Sequence, residues 1–397
     1  MRINCPGLLL VLAAITLCTP AGFAADFELE KRDRIAIIGN SLPDRMQQDG
    51  WLEALIQKAH PDKELVIRNL GFSGDRVALR PREEGFPTAD YYLSLIETDV
   101  IFAFFGLNES FSRDPDKFKD ELNTFLDEME GKRYNGESAP RVVLFSPIAY
   151  ENLGSPDLPD GETLNEWLGT YTDAMASVAR RRKVRFVDLY YPTLDLYDET
   201  DAPLTINGMH LNADGNKTVA QLIVDDLFGG VDMDGVELIR EAVLQKNWTW
   251  FNRYRATDGN DIWGSRAPLA FTNGQTNADV LVHELVMLDV MTANRDSVIW
   301  AAIAGRKIQP DDSNVPPPVE VITNIEPAAD KADDFGGHRF VPPSEGVNTL
   351  TLQDGLEANL FASEEMFEEM VNPVQLDVDT KGRLWVATWE SYPKWEP

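Results

Sequence analysis

The sequence predicts an α/β fold carried on a parallel sheet, and three observations predict it. Short, continuous apolar runs rich in β-branched residues recur along the first half of the chain, as Ile35-Ala-Ile-Ile38 does. Such runs suit strands buried on both faces rather than one. Between them lie longer stretches with apolar residues three and four apart, the mark of one-faced helices, as at Leu122, Phe125 and Met129. Strands that alternate with helices in this way give a parallel sheet covered on both sides.

In chain order, the strands are expected at 34–39, 64–70, 99–105, 141–146 and 185–189. Helices are expected at 50–59, 88–96, 115–130 and 162–182, then at 213–228 and 236–246. A long amphipathic helix follows at 277–303, with a break expected near Asn294. From 306 to 347 the texture changes. Pro310, Pro316-Pro-Pro318, Pro327 and Pro342-Pro343, mixed with acidic residues and glycine, predict an extended linker with little capacity for a core. Beyond it, 373–387 alternates apolar and polar residues on both sides of Asp379-Thr-Lys-Gly382, a hairpin signature.

The first 24 residues form a unit of their own. Arg2 precedes the apolar run 7–17, and Ala21-Gly-Phe-Ala24 supplies small residues, as in a secretory signal peptide cut after Ala24. Export, secreted or periplasmic, is therefore expected, with no integral membrane segment once the signal is removed. Both cysteines, Cys5 and Cys18, fall in this stretch, so the mature chain is expected to hold no disulfide, thiol nucleophile or Cys-based metal or haem site. Lys and Arg number 36 against 66 for Asp and Glu, a net charge of −30 that argues against nucleic acid as a partner. Neither a cofactor nor a metal is implied.

The expected sheet has carboxyl ends that carry chemistry-bearing residues, and ligands bind at such ends in open α/β sheets. Ser41 ends the first strand. Asn69-Leu-Gly-Phe-Ser-Gly74 ends the second, where glycine lets the backbone approach a ligand and leaves an amide exposed. Asn108 follows the third. His210 is one of four histidines, with His60, His283 and His338, and among these only His210 is expected in a loop within the α/β portion. The set suits acyl transfer. Ser41 is the candidate nucleophile and His210 the candidate base, while the Ser41 amide, the Gly74 amide and the Asn108 side chain form a candidate oxyanion hole. A serine that only caps the following helix is the plain structural alternative.

With those residues in hand, the chain resembles the SGNH (GDSL-type) hydrolases, a family of esterases, lipases and carbohydrate deacetylases. The usual Gly-Asp-Ser-Leu block stands here as Gly39-Asn40-Ser41-Leu42; later blocks match at Gly74, Gly106-Leu-Asn108 and His210. The resemblance covers about residues 31–230 and implies a flavodoxin-like three-layer α/β/α sandwich. Two departures stand out. Asn40 replaces the usual aspartate, and Asn207 occupies the place of the family's acid, three residues before His210. Asn207 is thus the candidate for orienting His210, and Asp201 is a stand-in that no spacing selects. Glu109 is expected to be structural.

The tail is similar to the start of a β-propeller found in large exported multidomain proteins of the planctomycete type. The expected organisation is a signal at 1–24, a hydrolase with a C-terminal helical extension at 25–305, a Pro-rich linker at 306–347 and an incomplete propeller-like segment at 348–397. The aromatic cluster Trp248, Trp250, Phe251 and Tyr254 is expected to pack, with a sugar platform as the alternative. The resemblance implies an exported serine hydrolase that cleaves a carbohydrate O-acetyl or other small acyl ester of a small molecule or polysaccharide. The rivals are a carbohydrate-binding module that has lost its chemistry and an accessory domain of a propeller oxidoreductase.

Overall fold

A computed structural model of the chain describes residues 27–81, 86–200, 202–256, 259–322, 334–335, 338–339 and 341–389. The signal segment, with Cys5 and Cys18, and Asp201 lie outside the described residues. Five parallel strands form the central sheet: β1 (Arg34–Gly39), β2 (Val66–Asn69), β3 (Val100–Phe104), β4 (Arg141–Phe145) and β5 (Arg185–Val187), in the order β2-β1-β3-β4-β5. Around it run α1 (Ser41–Asp49), α2 (Trp51–Ala59), α3 (Ala89–Ile96), α4 (Leu107–Ser110), α5 (Pro115–Gly131) and α6 (Glu162–Arg182). Next come α7 (Tyr190–Glu199), α8 (Ala213–Phe228), α9 (Val236–Tyr254), α10 (Gly259–Ile262) and α11 (Asn277–Ile303).

Successive side chains of a strand point to opposite faces, and the core divides accordingly. Ile35, Ile37, Phe102, Phe104 and Phe145 pack with α2, α8 and α9 on one side. Ala36, Ile38, Ile101, Ala103 and Leu144 pack with α3, α5 and α6 on the other. The result is a three-layer α/β/α sandwich whose strand order reverses beside β1. That reversal opens the crevice where α/β proteins bind ligands.

Helices α4, α7 and α10 were not expected and α9 runs on past 246, but two other differences have a clear physical reason. Ser41–Asp49 is a helix of its own, closed by Gly50 in the left-handed region (φ 71°), where a single helix beginning at Gly50 was expected. Its apolar pattern is thin, and Pro43 looks like a breaker, but proline is tolerated in a first turn because the N–H it lacks would have no partner there. Helix α11 runs unbroken through Asn294. The Asn294 amide donates to Asp312 and Asn314 instead of competing for the helix backbone.

The expected linker is in part tied down. Asp312 meets Asn294 and Arg295, the Pro317 carbonyl lies 2.8 Å from His283 Nε2, and Gln275 bonds Glu320 and Ile322. Residues 312–322 thus run antiparallel along α11. Short pairs form at β6 (Ala270–Thr272) with β7 (Gln275–Thr276), ahead of α11, and at β8 (Asp334–Phe335) with β9 (His338–Arg339), beyond it. Last comes the expected hairpin, β10 (Pro373–Val378) with β11 (Leu384–Thr388). Asp379 closes its turn by accepting from the Lys381 and Arg383 amides. Val374, Leu376, Leu384 and Trp385 of this hairpin are exposed.

The helical extension is docked by buried charge. Arg68 of β2 makes a two-pronged pair with Asp296 of α11 at 2.8 and 2.6 Å. The fully buried Lys246 of α9 meets Glu53 at 2.6 Å and the Ile67 carbonyl at 2.9 Å. Burial pushes the Lys246 ammonium below its ordinary value and the Glu53 carboxyl above it. Trp250 and Tyr254 donate to the Asn69 and Leu70 carbonyls at the tip of β2. With Phe251 they are buried, and Trp248 alone of the cluster is exposed, at 54%. Packing therefore accounts for three of the four aromatics. Among the described residues no helix is long and apolar enough to cross a membrane.

Candidate active site

Strand β1 ends at Gly39, where a Cβ would fall 2.1 Å from the Phe104 carbonyl oxygen, so the tip of β1 closes on β3 only with glycine there. Asn40 caps α1, its Oδ1 accepting from the Leu42 amide at 3.2 Å. Asparagine caps as well as aspartate does, which explains how the first block works with Asn40. Ser41 is thereby the first residue of α1. Its amide is one of the N–H groups a helix start leaves without an internal partner.

The loop after β2 is fastened to that helix start at several points. Phe72 donates to the Gly39 carbonyl at 2.8 Å, and the Ser73 amide and hydroxyl both donate to Asp44 Oδ2, at 3.0 and 2.8 Å. Asn69 donates to the Pro43 carbonyl at 2.7 Å. Gly74 lies between Ser73 and Asp75 with its amide unpartnered among the described residues and open space where a Cβ would be. Asn108, at the start of α4, donates through Nδ2 to the Asp75 carbonyl at 2.9 Å. Ser41, Gly74 and Asn108 are thus drawn together at the carboxyl edge of the sheet by Asp44 on one side and Asp75 on the other.

Arg255, just past the end of α9, completes this clamp. It donates to Asp44 Oδ1 at 2.5 Å and lies over the Phe72 ring at 3.7 Å. Glu109 is buried and accepts from the Val77 and Gly106 amides at 2.7 and 2.9 Å. Burial pushes its carboxyl up, and those amides pull it back. It is structural, joining the loops after β2 and β3.

His210 sits in the loop before α8. A buried carboxylate, Glu151 beyond β4, shapes this loop by accepting from the Leu204 and Thr205 amides and from the Thr205 hydroxyl at 2.6 Å. Gly208 (φ 86°) lies against the Tyr150 ring, which a Cβ would meet at 2.3 Å. Asn207 Oδ1 is 3.1 Å from His210 Nδ1 and also accepts the His210 amide. Asn216 of α8 donates to Asp49 of α1 at 2.7 Å, which ties the histidine loop to the serine helix. Burial first, and then the positive charge of Arg45, hold the His210 imidazole below its ordinary value. No hydrogen bond joins Ser41 to His210 among the described residues.

Sequence reasoning missed Asp44, Arg255 and Glu151. Asp44 could have been found from its place three residues after Ser41 in a helix first turn. Arg255 and Glu151 act across long separations, and nothing local marks them.

Residues 37–218 match the GDSL-like Lipase/Acylhydrolase family. Residues 342–396 match a domain of unknown function, DUF7133. No curated protein matches the chain. Similar solved structures include a gut microbial diltiazem-metabolizing enzyme, 18% identical over 51% of this chain with a TM-score of 0.40; the match spans 48% of that enzyme, about half its length. A catalytic mutant of Axe2, an acetylxylan esterase from Geobacillus stearothermophilus, is 15% identical over 51% of this chain and 96% of its own, with a TM-score of 0.41. An aryl esterase of M. smegmatis is 15% identical over 50% of this chain and 100% of its own, with a TM-score of 0.38. Residues 37–218, a little under half of the chain, are similar to the GDSL-like lipases and acylhydrolases, and that similarity supports a hydrolase acting on ester bonds.

Proposed function

We propose that Ser41 and His210 hydrolyse an acyl ester of a small molecule or carbohydrate, with O-acetyl groups on sugar as the first substrate class. The observation that carries this reading is the contact between Asn207 Oδ1 and His210 Nδ1. An oxygen there accepts a proton on Nδ1 and leaves the Nε2 lone pair as the base. His210 takes the Ser41 proton as Oγ attacks the ester carbonyl carbon. The charge that develops on the carbonyl oxygen is met by the Ser41 amide, the Gly74 amide and the Asn108 Nδ2–H. Each such donor is worth roughly 2.7–4 kcal/mol where one has been removed in other enzymes. Collapse expels the alcohol, which leaves with the proton from His210. Water, deprotonated by His210, then cleaves the acyl-Ser41 ester and releases the acid.

Asn207 orients the imidazole but brings no negative charge to offset the imidazolium, so turnover is slower than with a carboxylate there. That same neutral contact favours the second reading, a carbohydrate-binding module that has lost its chemistry. Turnover of p-nitrophenyl acetate and acetylated xylo-oligosaccharides by the full chain, abolished in Ser41→Ala, supports hydrolysis. Tight polysaccharide binding without turnover supports the binding module.

The signal-like residues 1–24 support export. The exposed β10–β11 hairpin and the similarity of the tail to a propeller start support the third role, accessory to a propeller oxidoreductase.

A further inference from the structure

We propose that Arg45 makes this site selective for esters whose alcohol portion carries a negative charge, a carboxylate or sulfate near the acylated hydroxyl. The proposal rests on the ester-hydrolase reading and narrows its substrate class. Arg45 lies four residues after Ser41 in α1, on the same helix face. Helical side chains lean toward the N-terminus, a direction that takes Arg45 toward the turn that holds Ser41. Its charge is felt at His210, across the site.

Arg45 forms no direct ion pair among the described residues. It is half-buried, and its Nε is buried without a hydrogen-bond partner among the described residues. Every other buried or half-buried arginine among the described residues is paired with an Asp or Glu: Arg255 with Asp44, Arg240 with Glu237, and likewise Arg34, Arg68, Arg80, Arg141, Arg182, Arg185, Arg253 and Arg295. The acidic residue one turn further along α1, Asp49, accepts from Asn216 and feels Arg240 more than Arg45, with no direct ion pair to Arg45. In a chain with a net charge of −30, a part-buried cation left unpaired beside the reacting groups is a site for an anion from outside. Planar guanidinium geometry suits the paired oxygens of carboxylate and sulfate.

Three matched substrates test this: the 3-O-acetyl esters of methyl glucoside, methyl glucuronoside and methyl glucoside 6-sulfate. The expected result is a kcat/KM for one or both charged esters at least about tenfold above the neutral one, falling with salt. In Arg45→Gln the ratio of charged to neutral ester is expected to collapse toward one, and in Arg45→Lys to recover in part. The two charged esters separate a carboxylate from a sulfate preference. A ratio near one in the wild type, or one unchanged in Arg45→Gln, overturns the proposal. If no ester is turned over, the hydrolase reading fails separately. Equilibrium binding of the corresponding N-acetyl amides to wild type and Arg45→Gln then decides the charge preference by the same ratios.

Discussion

Asn207 Oδ1 accepts both the His210 amide and, at 3.1 Å, the Nδ1 edge of its ring, so a neutral side chain stands where a carboxylate would ordinarily steady a catalytic imidazole. Asparagine in place of aspartate costs about 10⁴ in turnover in the serine-protease template, where it also imposes the wrong tautomer. Asn207→Asp is expected to raise kcat about tenfold or more and to raise the His210 pKa. Asn207→Ala is expected to lower kcat. Steady-state kinetics across pH check both.

The acid limb of the rate profile follows from the same histidine. His210 is a base only when neutral, and burial together with Arg45 holds its pKa below the ordinary 6.5. As pH falls, the midpoint of the decline in kcat/KM is expected below 6.5. Arg45→Gln removes the nearby positive charge, so the limb is expected to move to higher pH.

The oxyanion loop gives a third test. Asp44 holds Ser73 through two hydrogen bonds and is itself held by Arg255. Asp44→Asn keeps the size but weakens the clamp, so the Gly74 amide is less well placed when charge develops. A drop in kcat of about tenfold to a hundredfold with a smaller change in KM is expected. Arg255→Gln should move the same way, as the two act on one loop.

Stability depends on the charges that dock the extension. Asp296→Ala leaves the Arg68 guanidinium buried and unpaired, and loss of about 3–5 kcal/mol is expected from urea denaturation. A further test lies in His60, whose ring packs edge-on against Phe228 and whose pKa burial lowers to about 4. The unfolded chain binds this proton from about pH 6.5 downward, so folding stability is fully present above 6.5 and falls as pH drops toward 4. The loss from this group approaches about 3 kcal/mol. His60→Phe is expected to flatten stability across that window.

Much of this was legible in the chain, and the reason is local chemistry. Ile35–Ile38 is continuous and β-branched, so β1 shows itself, and the glycine and polar residues that end β1, β2 and β3 point to Ser41, Gly74 and Asn108. The family resemblance singled out Asn207 three residues before His210, and the contact between them needs only that short piece of chain. What stayed hidden is either weakly patterned or distant. Helix α1 carries too few apolar residues to announce itself. Glu151 shapes the His210 loop from 59 positions away, and Arg255 reaches Asp44 from 211 positions away. Their roles exist only once the sheet has brought those loops to one edge.

The central claim is that Ser41 is a nucleophile activated by His210, and covalent labelling tests it most directly. The full chain is treated with a fluorophosphonate probe, and the adduct is located by intact mass and peptide mapping, beside Ser41→Ala and His210→Ala. A single adduct on Ser41 that is lost in both variants is the expected result. A folded wild type that takes up no probe, or labels equally well without His210, would contradict it.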